Sequence, residues 1–329
     1  MFVRFVSLVV LLSAAIAASS SASRASPPPD LLQTFEPVLL FDPGERWAPE
    51  AVERFLADAR VEKQIAAGRW QLQPTQTLPS SNAGCTQSPC YRLNLPCPLH
   101  GGVSCYLGMA VRAGEWQRPV IYGRVVASPT GYLVRYWLFY EFDDWHSLHS
   151  RLWQAHEGDW ESVTVAVDRE GKPQFAAYSE HCSGTVRSWG AVSKRGGTHP
   201  VVYVALGSHA NYFTNTPSST RFTECLRSGF GSATVTRIAQ LAQEKIVDRV
   251  GTAHPLGPAG LPNVTPLELV ELDPAAEPWA RFPGRWSEGQ LLWLGSKPRS
   301  YTSVSQGAGP ATPNWSSTSV SSLWHVESS

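Results

Sequence analysis

The chain has 329 residues, and its 27 Lys and Arg are balanced by 27 Asp and Glu for a formal net charge of zero. That balance, with no run of basic residues, excludes a charge-built nucleic-acid surface. Charged residues make up only 16% while Trp numbers 13, a composition that suits a β-rich core with a few aromatics free to face a carbohydrate or a membrane.

Met1-Phe2-Val3-Arg4 is a short basic start, and residues 5–17 form an apolar run too short to span a bilayer. Ala15-Ile16-Ala17 supplies a small-x-small cleavage signal, so residues 1–25 read as a secretory signal peptide with a Ser/Pro-rich leader. No later stretch is apolar enough for a transmembrane helix. The expected mature chain is a secreted, extracellular single domain over residues 26–329.

The segment 36–45 reads as a short strand ending in a turn. Pro49 suits a first helical position and Gly68 a helix stop, with Val52, Phe55, Leu56 and Ala59 at helical spacing between them. Cys85, Cys90, Cys97 and Cys105 then cluster in a stretch without periodicity, expected to be a disulfide-stapled loop over residues 85–105. Its internal pairing is open. Cys182 and Cys225 are left to each other as a further disulfide.

Residues 120–126 and 132–142 are aromatic, β-prone runs separated by the turn signal Ser128-Pro129-Thr130-Gly131. A loop over 145–155 leads into His156-Glu157-Gly158-Asp159-Trp160-Glu161, which opens a period-two strand. Val163, Val165 and Val167 mark its buried face, and counting back by twos puts Glu161 and Asp159 on that face. Carboxylates on a core face are costly unless neutralised, and a divalent cation neutralises them well. His156 lies three residues before Asp159, across a glycine that permits irregular backbone. Asp144 is the fourth candidate ligand, because its strand feeds the loop that returns to His156. Hard carboxylates suit Ca²⁺ or Mg²⁺, while His156 admits Mn²⁺ or Zn²⁺. This is not the H-E-x-x-H of zinc proteases, since position 160 is Trp.

Further strands are expected at 174–179 and 201–206. They are followed by His181 and by Gly207-Ser208-His209-Ala210-Asn211-Tyr212, making His181, His209 and Tyr212 candidate ligand-binding residues. For each histidine taken singly, a core or turn residue bonded to backbone is the blander reading. Residues 236–250 show helical spacing and 267–272 a strand pattern. The tail, with Trp279, Trp286, Trp293 and Trp315, is expected to wrap over the domain. The fold class is therefore mainly β, a β-sandwich with a few peripheral helices.

Phe41-Asp42-Pro43-Gly44-Glu45, the run 136–145, the run 156–161, Tyr178-Ser179-Glu180-His181 and the run 197–213 occur in an order that resembles the vacuolar protein sorting-associated protein 62 family. More distantly, residues 155–161 are similar to the heptapeptide G-H-R-H-D-W-E of the necrosis-inducing (NLP) cytolysins. That likeness implies a jelly-roll or cytolysin-like sandwich with a divalent cation at one rim. It implies His156, Asp159 and Glu161 as ligands, with Asp144 or Asp143 as the preceding acid. Glu157 and Gly158 stand where that heptapeptide has Arg and its second His.

Two functions remain in view at this point. One is a lectin- or cytolysin-like binder whose cation bridges to a glycan or lipid headgroup, with peripheral membrane contact. The other is a metal-dependent hydrolase with His181 or His209 as base.

Overall fold

The computed structural model describes residues 27–97, 99, 103–113, 115–147, 152–181, 183–216, 247–294, 305–307 and 309–318. The expected signal peptide, residues 236–246 of the helix reading over 236–250, Cys182 and Cys225 lie outside them, and residues 247–250 are extended rather than helical, with Val250 bridging to Ala205.

A short helix α1 (Leu31–Thr34) precedes strand β1 (Val38–Phe41) and helix α2 (Val52–Asp58). Strands β2 (Arg60–Ala66), β3 (Arg69–Leu72) and β4 (Tyr91–Asn94) form a small sheet, and helix α3 (Ser104–Ala113) follows. The long strands come next: β5 (Val120–Ser128), β6 (Gly131–His146), β7 (Leu152–Asp168), β8 (Pro173–Glu180) and β9 (Ser183–Ser188). Then come β10 (Lys194–Arg195), β11 (His199–Val204), β12 (Asn211–Tyr212), β13 (Ala253–Gly257), β14 (Thr265–Pro266), β15 (Glu268–Glu271), β16 (Gln290–Leu294) and β17 (Ser305–Gly307).

The main sheet runs β15-β5-β6-β7-β16-β17 and forks at β7, whose second half pairs with β8 and, through it, β9. The other large sheet runs β10-β11-β1-β13-β14, with β12 on β11. The two pack as a β-sandwich. Tyr178 of β8 donates its hydroxyl to the Val201 carbonyl of β11 at 3.2 Å and stacks on Phe213. Leu39, Phe41, Val202 and Val204 meet Val134, Val163 and Val165 in one core.

Burial differs from the one-faced expectation for β7, because both of its faces are covered. Its far side carries Trp160, which packs with Phe139, Trp279, Trp286 and Trp315. The tail thus wraps over the sheet, and its Trp279, Trp286 and Trp315 are core residues. The H-x-x-D-x-E run also sits inside β7 rather than at its start. β6 and β7 stay paired from Gly131↔Asp168 to His146↔Trp153, so the expected 145–155 loop shrinks to the few residues between the strands.

Helix α2 is shorter than the span from Pro49 to Gly68, because the backbone turns extended at Ala59 and the chain enters the small sheet as β2, with Val61 buried. Gly68, at φ 69°, turns that hairpin instead of ending a helix. The four loop cysteines form two bridges, Cys85–Cys90 and Cys97–Cys105.

Glu50, between β1 and α2, is fully buried, and neither carboxylate oxygen has a hydrogen-bond partner. Burial pushes its carboxyl up to about 8. A raised folded value means stability is lost as pH climbs from the ordinary carboxylate range toward that value. Wild type should therefore lose about 3–4 kcal/mol relative to Glu50→Gln between pH 5 and pH 8, read from urea unfolding at each pH.

Candidate metal centre

Gly158 organises the site. On one side of it, Asp159, Glu161 and Val163 alternate in the ordinary way toward the sandwich interior. Gly158 itself has φ 61°, and the chain leaves this residue with its alternation shifted by one. Glu157 and its partner Phe142 then face Tyr106 on the reverse side, while the paired residues His156 and Asp143 face the same way as Asp159. The spacing H-x-x-D thus becomes one face of one sheet.

The cluster is His156, Asp159 and Asp143, whose ligand atoms lie within 4.8 Å of one another and which are all buried. Each holds its other polar atom on the protein. His156 donates Nδ1–H to the Glu157 carbonyl at 3.1 Å, which leaves the Nε2 lone pair facing inward. Asp143 Oδ1 accepts from the Trp145 amide at 2.9 Å, and Asp159 Oδ2 faces His209 Nδ1 at 2.9 Å. The atoms left over converge: Nε2 lies 3.5 Å from Asp143 Oδ2 and 3.9 Å from Asp159 Oδ1.

Electrostatics leaves this arrangement short of positive charge. Burial lowers the pKa of His156 and so favours its neutral form. Burial, then the Asp159 charge, raises Asp143 and Glu161 well above the carboxylate range. A bare nitrogen lone pair 3.5 Å from the Asp143 carboxyl and 3.9 Å from that of Asp159 is poorly satisfied on protein atoms alone. A divalent cation there would favour the deprotonated form of all three groups.

His209 and Glu45 form the layer behind. His209 is fully buried and stacks on Tyr140 at 3.8 Å, with Nε2 3.7 Å from Glu45 Oε1. Burial works against its charge, but Glu45 and Asp159 prevail and hold it up at about 10. Glu45, in turn, is pushed up by burial and brought below its usual value by His209 and the amides of Gly207 and Trp47. With both ring nitrogens turned to carboxylates, His209 orients Asp159 rather than waiting as a base open to substrate.

The remaining expected residues fall as follows. Asp144, one position out of phase with Asp143, pairs across the ladder with Ala155, and its carboxylate lies 3.9 Å from Arg46. Glu161 is outside the three-residue group and accepts a hydrogen bond from Ser179 Oγ. His181 and Tyr212 meet on the fully buried Asp248, which also accepts from Trp145 Nε1 at 2.6 Å. Burial disfavours the His181 charge, but Asp248 beside it raises the pKa overall. Asp143 is the alternative that the heptapeptide likeness offered beside Asp144, whereas Glu45 and Asp248 were not singled out by sequence reasoning. Asp143 could have been found by carrying the Gly158 phase shift across the ladder. Glu45 and Asp248 are brought in only by tertiary packing.

No family model and no curated protein matches the chain, so the resemblance to the vacuolar protein sorting-associated protein 62 family has no support there. Among solved structures, it is similar to Necrosis and Ethylene inducing Protein 2 from the causal agent of cocoa's Witches Broom disease. Identity is 19%, coverage 58% of this chain and 69% of that one, and the TM-score 0.32. The non-toxic HaNLP3 protein is similar at 15% identity, 58% and 72% coverage, and a TM-score of 0.29. At these scores the site is read from its own geometry. Among the described residues no helix is long and apolar enough to cross a membrane.

Proposed function

We propose that the protein binds a divalent cation through His156 Nε2, Asp143 Oδ2 and Asp159 Oδ1, and uses it to hold an oxygen-bearing group of a glycan or lipid headgroup outside the cell. The observation that carries this is the convergence itself. Three ligand atoms point at one another while the second polar atom of each residue is held by Glu157, Trp145 or His209. Orientation of that kind is the usual support of a metal ligand. Three protein ligands leave coordination positions for water or an incoming oxygen.

The two carboxylates accept Ca²⁺ or Mg²⁺, but the imidazole moves the preference toward Mn²⁺ or Zn²⁺, in which Zn²⁺ binds tighter. The two disulfides suit an oxidising compartment and hence a secreted protein.

Asp159→Asn removes a ligand charge and turns an amide toward His209. Calorimetry on chelator-stripped protein should show its affinity for Zn²⁺ and Mn²⁺ reduced at least about 100-fold. Retained affinity would place the cation elsewhere. Glycan and lipid arrays run with and without chelator test the second half: binding should vanish with chelator and return with added metal.

A further inference from the structure

We propose that Tyr106 is a positioning residue for the cation centre and that the Cys97–Cys105 disulfide holds it there, linking cation affinity to the redox state of that disulfide. This rests on the cation-centre reading above.

Tyr106 follows Cys105 directly and is fully buried on the reverse side of the sheet from the centre. It touches the neighbours of two of the three ligands. Its ring stacks on Phe142, next to Asp143, with centroids 4.0 Å apart and an interplanar angle of 18°. Its hydroxyl lies 2.8 Å from Glu157 Oε1, next to His156. Glu157 in turn supplies the carbonyl that fixes the His156 tautomer. The same hydroxyl lies 2.7 Å from the carbonyl oxygen of Cys97, so Tyr106 is tied to Cys97 both by this contact and through the adjoining disulfide.

Cys105 is exposed whereas Cys97 is buried, so a reductant reaches the Cys105 sulfur. A thiolate of a dithiol reductant attacks Cys105 Sγ, and the S–S bond breaks with Cys97 leaving as a thiolate that takes up a proton. The reductant's second thiolate then closes its own disulfide and releases Cys105, which is protonated in turn. Two electrons and two protons have passed to the protein, and the reductant is oxidised. The start of α3 is then no longer covalently fixed beside Cys97, and Tyr106 loses the hold that seats it against Phe142 and Glu157. The His156 and Asp143 atoms lose their set positions, and cation affinity falls.

Linkage makes the effect reciprocal: a cation that prefers the disulfide form must make the disulfide harder to reduce by the same factor. A tenfold preference corresponds to about 30 mV for a two-electron couple.

The test uses the full chain, with Zn²⁺ or Mn²⁺ as probe. Tyr106→Phe keeps the disulfide and the ring but removes the hydroxyl. Its affinity in the folded protein should fall about tenfold, and cation should no longer shift the Cys97–Cys105 potential measured in glutathione or dithiothreitol buffers by mass spectrometry. The Cys97→Ser/Cys105→Ser protein should match reduced wild type in affinity, which isolates this bridge from Cys85–Cys90. If that pair fails to fold, Tyr106→Phe carries the test. A merely structural role would lower the melting temperature and leave folded-state affinity and potential unmoved, and that result would overturn the proposal. Wild type that binds no cation, or an Asp159→Asn protein that binds it unchanged, would instead sink the cation-centre reading, and this proposal with it.

Discussion

Gly158→Ala is expected to remove cation binding and to lower stability by about 2–5 kcal/mol. Two independent effects add. The backbone there is left-handed at φ 61°, which a Cβ disfavours by about 1–2 kcal/mol. An added Cβ would also lie 2.6 Å from the Trp286 carbonyl oxygen and 2.7 Å from Trp286 Cβ. Trp286 cannot retreat cheaply, since it is wedged among Phe55, Phe139, Trp160 and Phe282. Relief comes by returning residue 158 to ordinary strand geometry, and that undoes the phase shift placing His156 beside Asp159. Gly190→Ala is the control, because nothing lies within 4 Å of its Cβ position. That change should stay within about 0.5 kcal/mol. Denaturant unfolding gives the stabilities and calorimetry the affinities. A Gly158→Ala protein that kept its affinity would show that the left-handed turn is dispensable to the site.

The second large effect is expected at Asp248. Asp248→Asn should cost about 3–5 kcal/mol, because it leaves the donors of Trp145, His181 and Tyr212 facing a side chain with one acceptor and an amino group. The pH dependence carries the signature of a buried ion pair. Burial pushes Asp248 up, but His181 and the two other donors bring it below its ordinary 3.8, so its contribution is present above that value and is lost as pH falls through the depressed one. His181 is raised above its ordinary 6.5, so its contribution is present below that value and is lost as pH rises through the raised one. The gap between wild type and Asp248→Asn should be widest between about pH 4 and pH 6.5 and should narrow on either side. A gap that does not vary with pH would mean that Asp248 acts only as a neutral hydrogen-bond acceptor.

The strands were legible where alternation and turn chemistry agreed. Val163, Val165 and Val167 announce β7, and Pro129 with Gly131 separates β5 from β6. The stretch 52–66 was misjudged because Val52, Phe55, Leu56 and Ala59 fit a helix so well that the alternation beginning at Val61 was absorbed into it. Burial on both faces of β7 could not be read from the strand itself, since the covering Trp286 and Trp315 come more than 110 residues later. Within the site, His156 and Asp159 were visible from spacing and from the glycine between them. The choice of Asp143 over Asp144 turns on a backbone irregularity in the facing strand, where β6 has no glycine beside Asp143 to give notice. Glu45 and Asp248 lie far from the motif in sequence and reach it only through β1, β11 and the segment after Phe213.

The fork at β7 bears on how the protein is made. His156 has Asp143 on one side and Gln290 of β16 on the other, so the first half of β7, with His156, stays an open edge until β16 has left the ribosome. An open edge beside a row of buried carboxylates invites pairing with other chains. Closing so long a loop is slow compared with forming the β6–β7 hairpin. Products truncated before residue 290 should therefore aggregate rather than bind metal. In the intact chain the candidate site is flanked on both sides only after translation of β16, so any cation it takes would enter a sheet that closes late in folding.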